Sequence, residues 1–322
     1  MKKWLAALAV VSCVAGFGAT AHADWPHDKT ITIVTGYPAG TGSDLVSRLL
    51  ADALSKKLGA TIIVDDRPGA AGTIAQAYVA KVKPDGYTFI VATPSSSANA
   101  KLVYTGLPYD PMTDFTPISR TNSDSMVLVA GPRLAAKNLQ EFKAYALANP
   151  GQIQLGNPGF GTYAHMGQLK MQDLWGAKFN IVLYKGAPQM ITDMMDKQID
   201  AVMDLLGGYY SNVQAGTLRV LAVFGKNRDP KLPNVPTAAE QGTDLSVDAF
   251  FGMEGPKGIP ADIVTKMNQA INDVENDPDF KAKMTGLGIT PSPSTPKEYD
   301  DQLHAEVEKW RPVITKYNIK AD

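Results

Sequence analysis

The residues best suited to recognise a ligand are glycines and small hydroxyl side chains in four loops. The candidate residues of the first loop are Tyr37, Ala39, Gly40, Thr41, Ser43 and Asp44. Glycine lets the backbone approach a ligand closely, and the helix predicted to follow starts with free N–H groups that attract an anion. One helix start contributes only about 0.3–1 kcal/mol, so several donors must converge. An ordinary strand-to-helix turn is the alternative interpretation.

The second loop follows the third predicted strand and is rich in hydroxyl groups. Its candidate residues are Thr93, Ser95 and Ser96. Hydroxyl groups donate hydrogen bonds to a carboxylate without adding charge. A solvated serine-rich loop is the alternative.

The third loop repeats the composition of the first loop in a later part of the chain. Its candidate residues are Asn157, Phe160, Gly161, Thr162, Tyr163 and His165. Phe160 and Tyr163 can form flat walls for a ligand, or they can pack beneath the loop. For His165, a packed or capping role is preferred over a role as a base or a ligand contact.

The fourth loop contributes Lys185, Gly186 and Ala187. Its glycine lies where a predicted strand changes to a helix, so its N–H groups are also expected to point into the cleft. Lys185 either pairs with a ligand anion or forms a structural ion pair. Asp204 ends a later predicted strand, where it either accepts a hydrogen bond from a ligand amine or hydroxyl group or caps the backbone.

Signals for catalysis are weak in this sequence. Beyond residue 23 the histidines are His27, His165 and His304, and their spacing fits no metal site. No thiol remains in that part of the chain, and the G-x-S-x-G nucleophile motif is absent. The sequence therefore predicts a binding protein without metal or cofactor, and not an enzyme.

Short β-branched runs alternate with helical segments and would position these loops. The predicted strands are 31–34, 61–64, 87–92, 127–129, 154–156, 180–183, 201–204, 218–224 and 250–256. This alternation predicts βαβ units on parallel sheets, where ligands bind beyond the carboxyl ends of the strands.

The elements form two sets, which predicts an α/β protein with two lobes and a ligand cleft between them. Each lobe is expected to be a mostly parallel sheet flanked by helices. We assign residues 24–122 and 247–322 to lobe I and residues 123–246 to lobe II.

The N-terminus has the composition of an export signal. Lys2 and Lys3 precede an apolar run from Trp4 to Phe17, and Ala21-His22-Ala23 supplies the small-x-small cleavage pattern. The run is shorter than the roughly 18–20 residues that span a bilayer. We predict cleavage after Ala23 and a periplasmic mature protein, with a retained amphipathic anchor as the alternative.

Charge and cysteine content exclude other classes. The formal net charge is −1, and no run of basic residues interleaved with aromatics indicates nucleic-acid binding. The chain has 1 cysteine, Cys13, which lies in the predicted signal segment. The mature protein is therefore expected to be a monomer held by its core without disulfides.

Several motifs together resemble those of one receptor family. They are Tyr37-Pro38-Ala39-Gly40-Thr41-Gly42-Ser43-Asp44, Asp66-Arg67-Pro68-Gly69-Ala70-Ala71-Gly72, Pro84 to Thr88, Leu107 to Phe115, Gly156 to His165, Tyr184-Lys185-Gly186, Leu232 to Thr237 and Phe251-Gly252. Through these motifs, which cover the whole mature chain, the protein resembles the Bug-type solute receptors of tripartite tricarboxylate transporters. Each motif is weak alone, and their combination is specific.

The resemblance implies a two-lobed, type II-like periplasmic-binding-protein fold that closes on a small carboxylate. In that family, backbone N–H groups, small hydroxyls and ordered waters of the first lobe hold the proximal carboxylate, and second-lobe loops set specificity. The resemblance also implies delivery of a mono- or dicarboxylate to the permease subunits of a membrane transporter. The alternatives are a sensor subunit for a signalling partner and, in a different class, an exported hydrolase or isomerase.

The departures from the family pattern lie in the loops expected to set specificity. Ala39 and Thr41 replace the usual Pro and Gly, which would narrow or re-aim the first loop. Phe160 occupies a position that is often small or polar, and Tyr163 adds a second ring. If both rings line the cleft, they favour an aromatic or longer apolar acid.

Overall fold

The computed structural model describes residues 25–321, so the predicted signal segment and its cleavage site lie outside the described residues. Within this range, nine strands form one curled sheet. They are β1 (Ile31–Thr35), β2 (Ile62–Asp66), β3 (Thr88–Ala92), β4 (Phe115–Ala130), β5 (Gln154–Asn157), β6 (Asn180–Leu183), β7 (Ala201–Leu205), β8 (Arg219–Val223) and β9 (Asp248–Pro256). The order along the sheet is β2-β1-β3-β9-β4-β7-β5-β6, and β8 pairs with β4.

Helices flank this sheet. They are α1 (Gly42–Leu58), α2 (Thr73–Val79), α3 (Pro94–Ser97), α4 (Ala100–Val103), α5 (Leu139–Ala148), α6 (Tyr163–Trp175), α7 (Ala187–Met195), α8 (Tyr210–Gln214), α9 (Ala261–Asn276), α10 (Pro278–Gly286) and α11 (Pro296–Lys316). None of the helices within residues 25–321 is long and apolar enough to cross a membrane.

Two groups of parallel strands form the centres of the two lobes. β1 pairs in parallel with β2 and β3, and β5 pairs in parallel with β6 and β7. In β1, Ile31, Ile33 and Val34 are fully buried, as expected for a β-branched strand covered on both faces. The predicted two-lobed α/β fold is confirmed.

Strands β4 and β9 run between the lobes and make the sheet mixed. β4 pairs antiparallel with β9 from Phe115 to Ser125, with β7 from Met126 to Ala130 and with β8 from Val127 to Ala130. The register shifts along β4, which lets a 16-residue strand bend from one lobe into the other. One strand leaves lobe I and the other returns to it, so the two strands run in opposite directions.

Each lobe has its own hydrophobic core, and α11 packs against elements of both lobes. Leu50 and Leu54 of α1 pack in the lobe I core, and Leu303 of α11 packs near the return strand β9. Further along α11, Trp310 and Ile314 join the large cluster of lobe II. The assignment of residues 247–322 to lobe I remains a prediction. The C-terminal end of α11 packs against lobe II.

Candidate functional site

A cavity lies between the lobes, where the four predicted loops come together. Its lining consists of Tyr37, Thr41, Gly42, Ser43, Thr93, Pro94, Ser95, Met126, Pro158, Thr162, Tyr163, Gly186, Ala187, Asp204, Leu205, Gly208, Ala249, Phe250 and Phe251. The space between the walls is about 580 Å³ with its open mouth included. This concave space between the lobes is therefore the candidate ligand site.

The first loop directs the start of α1 at this cavity. Thr41 is the N-cap residue, but its Oγ1 donates to Pro38 O at 2.8 Å and caps no helix N–H group. Gly42 and Ser43 line the cavity, and their N–H groups have no acceptor among residues 25–321. Two donors at a helix start are therefore available to an anion.

Asp44 shapes the first loop from behind. Its Oδ2 accepts a hydrogen bond from Gly40 N–H at 2.8 Å, and its Oδ1 lies 2.7 Å from Arg48 Nε. Ala39, Gly40 and Asp44 were predicted as ligand contacts, and all three lie outside the lining of the cavity. Asp44 is used within the protein, because Oδ2 holds the turn that precedes α1 and Oδ1 lies beside Arg48 one helical turn further along α1.

The second loop provides hydroxyl groups at the start of the short helix α3. Thr93 and Ser95 line the cavity. Ser96 and Ser97 do not, because their hydroxyls donate back to Thr93 O at 3.0 Å and 2.9 Å. Ser95 is 7% exposed, and its hydroxyl has no hydrogen-bond partner among the described residues. Because Ser95 lines the cavity, this hydroxyl is available to donate to a ligand.

The third loop places the start of α6 on the opposite wall. Thr162 and Tyr163 line the cavity. Thr162 caps α6, since its Oγ1 accepts from His165 N–H. The Tyr163 hydroxyl donates to Glu306 Oε2 at 2.6 Å and accepts from Asn99 Nδ2 at 3.2 Å. These bonds anchor the ring, so one edge of Tyr163 forms cavity wall while its hydroxyl is held by α11.

Three predicted residues of this loop hold it from behind. Asn157 is fully buried, donates to Gln168 and accepts from Gly159 N–H. His165 Nδ1 accepts from Gly161 N–H at 3.2 Å, and burial lowers the pKa of His165 to about 4. His165 is therefore neutral at physiological pH. Asn157, Gly161 and His165 lie outside the cavity lining, and His165 has the packed role preferred from the sequence.

The fourth loop brings the start of α7 into the cavity. Gly186 and Ala187 line it, and no side chain caps α7. Lys185 and Phe160 lie instead on a second, adjacent cavity that shares Tyr37 with the first. Within residues 25–321, Lys185 forms no ion pair, so the structure provides no partner for the structural ion pair considered from the sequence.

The rims of the two lobes are in contact across the cleft. A Cβ atom added to Gly186 would lie 2.6 Å from Thr41 Cγ2 and 3.4 Å from Pro38 Cδ. A Cβ atom added to Gly40 would lie 3.4 Å from Pro188 Cγ. The first loop and the fourth loop therefore close one side of the cavity, and glycine at position 186 makes this approach sterically allowed.

An apolar wall was not predicted as part of the site. It comes from the strands that cross between the lobes: Met126 of β4, and Ala249, Phe250 and Phe251 of β9. Pro94, Pro158, Leu205 and the glycines Gly42 and Gly208 complete the unpredicted lining. The sequence signals were the apolar start of the returning strand and the Phe251-Gly252 motif, and neither gives a direction for the side chains.

The electrostatics of the cavity favour an anion without a cationic partner. The lining contains no Lys, Arg or His side chain within the described chain. The starts of α1, α6 and α7 each carry about half a positive charge, and together they can stabilise an anion by roughly 1–6 kcal/mol, depending on its burial. Asp204 opposes this, because a ligand carboxylate about 5 Å away would be repelled by about 3 kcal/mol at an effective dielectric constant of about 20. The contact of these residues with a ligand remains a prediction.

No metal centre is indicated. Within residues 25–321, no group of three or more His, Cys, Asp and Glu side chains could hold a metal ion.

Comparison with known proteins identifies a receptor family. The model for the tripartite tricarboxylate transporter family receptor matches residues 46–319. The solved structure of R. palustris Rpa4515 with adipate is 31% identical, with a TM-score of 0.88, and covers 91% of this chain and 98% of that chain. The periplasmic binding protein BugD is 28% identical, with a TM-score of 0.86 and coverage of 91% and 99%.

A third similar structure contains a different acid. MatC from Rhodopseudomonas palustris with bound malate is 27% identical to this chain, with a TM-score of 0.82. The match covers 88% of this chain and 98% of MatC.

Proposed function

Because the chain belongs to the tripartite tricarboxylate transporter receptor family, we propose that it closes its two lobes around a small carboxylate and delivers this ligand to a membrane permease. The family and the solved relatives are periplasmic solute-binding receptors. The chain is accordingly a receptor and not an enzyme, as the absence of catalytic motifs predicts.

The observation that carries the carboxylate assignment is the convergence of helix starts on one cavity. Gly42 and Ser43 of α1 present free N–H groups from lobe I, and Thr162 and Ala187 mark the starts of α6 and α7 in lobe II. Such groups favour an anion through fixed dipoles, without a mobile cation. The Ser95 hydroxyl adds a donor that no other group of the described protein uses.

The apolar part of the cavity lining supports a ligand with a carbon skeleton of several atoms. Met126, Phe250 and Phe251 supply apolar surface beside the polar loops. The relatives were solved with adipate and with malate, which are dicarboxylates of different length. We propose a mono- or dicarboxylate ligand. Because the ring of Tyr163 lines the cavity, an aromatic acid is one candidate of this class. Phe160 does not contribute to this, since it lies on the adjacent cavity.

The proposed route begins with export. Cleavage after Ala23 would release the receptor into the periplasm, where it would bind its ligand as a monomer. The permease subunits of a tripartite transporter would then receive the ligand.

A thermal-melt panel tests this function. The purified mature protein is heated with acetate, succinate, adipate, malate, aspartate, benzoate and phenylacetate, each as the sodium salt. A ligand at about 100 times its Kd adds about 2.7 kcal/mol, which raises the melting temperature by a few degrees. We expect at least one acid to do so and to be recovered unchanged by mass spectrometry.

Two results would contradict the proposal. The carboxylate assignment fails if no acid of the panel changes the melt while sugars or amines do. The receptor assignment fails if a stabilising acid is chemically converted by the protein.

A further inference from the structure

Asp204 occupies an unusual position for a site that attracts anions. It lies in β7, at the wall of the cavity between the lobes, and it is the single carboxylate among the described residues that line this cavity. The same lining holds the starts of α1, α6 and α7 and the unpartnered Ser95 hydroxyl. A negative side chain therefore shares the cavity with the groups that favour a negative ligand.

The protein satisfies only part of this carboxylate. Asp204 Oδ1 accepts from Leu205 N–H at 2.8 Å, and Oδ2 accepts from the Tyr209 hydroxyl at 2.9 Å. A carboxylate offers about four lone-pair sites, so acceptor capacity remains on Asp204, which lines the cavity. No cation pairs with Asp204 within residues 25–321, and the titratable groups near it are the phenols of Tyr37 and Tyr209.

We propose that Asp204 determines specificity by selecting acids that carry a hydrogen-bond donor, an ammonium or a hydroxyl group, on the carbon next to a carboxylate. This inference rests on the proposed carboxylate-receptor function and names the class of carboxylate. The ligand carboxylate meets the helix starts, and the donor meets the free lone pairs of Asp204. An acid without a donor leaves Asp204 facing another negative charge. An ammonium is favoured over a hydroxyl, because hydrogen bonds between two charged groups are the stronger ones.

Burial supports this assignment. It raises the pKa of Asp204 to about 6, and the bonds from Leu205 and Tyr209 counteract this rise. At pH 8 the side chain is therefore ionised and accepts hydrogen bonds only. A purely structural Asp204 would use the same two bonds but would not distinguish between ligands.

Matched acids that differ at one carbon provide the experiment. Succinate, malate and aspartate share a skeleton and carry hydrogen, hydroxyl or ammonium at that carbon, and phenylacetate, mandelate and phenylglycine do the same for an aromatic acid. Affinities are measured by calorimetry at pH 8 for the wild type, for Asp204→Asn and for Asp196→Asn. The last variant changes net charge equally at an exposed position outside the cavity lining.

At least one of the two series of three acids is expected to bind. Within that series, the wild type and Asp196→Asn should bind the acids with a hydroxyl or ammonium group at least about 10-fold more tightly than the unsubstituted acid. The reason is that one matched charge-assisted hydrogen bond is worth about a factor of ten. In Asp204→Asn, this preference should fall below about threefold, and the unsubstituted acid should gain affinity. Ligand-free melts of the three proteins show whether each variant is folded.

The outcomes separate this inference from the proposed function. If the unsubstituted acid binds the wild type as tightly as its donor-bearing partners, or if Asp204→Asn keeps the wild-type preference, Asp204 does not determine specificity and the receptor function stands. If none of the six acids binds while another acid of the thermal-melt panel does, this inference fails and the receptor function stands; if no acid of either set binds, both fail. If Asp204→Asn is unfolded without ligand, Asp204→Glu is measured instead, and an unchanged preference in that longer side chain overturns the geometric argument.

Discussion

Replacement of Gly186 by alanine tests whether ligand binding requires the two rims to close. The backbone at Gly186 is extended, with φ 163° and ψ 178°, a conformation that alanine adopts without strain. The obstacle is steric and lies across the cleft, because the added Cβ would stand 2.6 Å from Thr41 Cγ2. The variant should therefore fold normally with its lobes apart and resist closure.

The magnitude follows from the cost of overpacking. Inserting a methyl group into a tightly packed contact typically costs about 1–3 kcal/mol. At about 1.4 kcal/mol per factor of ten, Gly186→Ala should bind the best acid of the panel about 5- to 150-fold more weakly. Calorimetry measures this loss, and small-angle scattering with and without ligand measures whether the lobes still close.

Gly106→Ala is the matched control, since a Cβ atom there would meet nothing within 4 Å. This control should bind as the wild type does. The reasoning is refuted if Gly186→Ala keeps wild-type affinity. It is also refuted if Gly186→Ala lowers the free energy of unfolding without ligand as much as it lowers the free energy of ligand binding. The lobes would then already be closed in the ligand-free protein.

Three further predictions concern charge and loop shape. Burial raises the pKa of Asp204 to about 6, so lowering the pH from 8 to 5 neutralises this side chain and removes its repulsion of succinate. Calorimetry should show wild-type affinity for succinate rising about 10-fold over this range, with a smaller rise in Asp204→Asn. Equal rises in the two proteins would contradict the account. Burial raises the pKa of Glu254 to about 7 from 4.5, so its stabilising contribution is complete below about pH 4.5 and is lost as the pH rises through 7. Urea melts should therefore show wild-type stability falling by about 3 kcal/mol between pH 5 and 8 relative to Glu254→Gln, and parallel curves would be inconsistent with a buried, titrating Glu254. Lys185→Ala should change ligand affinity less than twofold. Gly161→Val should weaken ligand binding at least about 10-fold by overpacking, since a Cβ atom at Gly161 would lie 2.7 Å from Val103 Cγ1. The reverse order of the two losses would indicate that net charge controls binding.

The lobes could be predicted because their strands and helices have strong local patterns. Ile31 and Ile33 belong to a short β-branched run that forms a buried strand. Leu50 and Leu54 repeat at helical spacing on the buried face of α1. Local periodicity of this kind is the main signal for secondary structure.

The first part of β4 could not be predicted, because its sequence is polar and resembles a loop. Its polar groups are satisfied by segments far along the chain. Ser119 Oγ donates to Ser294 O, and Arg120 Nη1 donates to Gln302 Oε1. Asn122 Oδ1 accepts from Phe251 N–H. Tertiary contacts therefore stabilise a strand that local propensity does not favour.

The candidate site was predicted at the level of loops and less well at the level of atoms. Composition marked the serine-rich loop, but it could not show that Ser96 donates back to Thr93 O while Ser95 remains free. It also could not show that Asp44 holds its own loop. These outcomes depend on rotamers and on loop geometry, which residue types alone do not determine.

A crystal structure of the receptor with the tightest-binding acid of the panel tests the central claim most directly. The account predicts a ligand carboxylate in the cavity between the lobes, about 2.7–3.1 Å from the N–H groups of Gly42 or Ser43 and within reach of the Ser95 hydroxyl. A carboxylate paired with Lys185, or bound outside this cavity, would contradict recognition by uncharged donors.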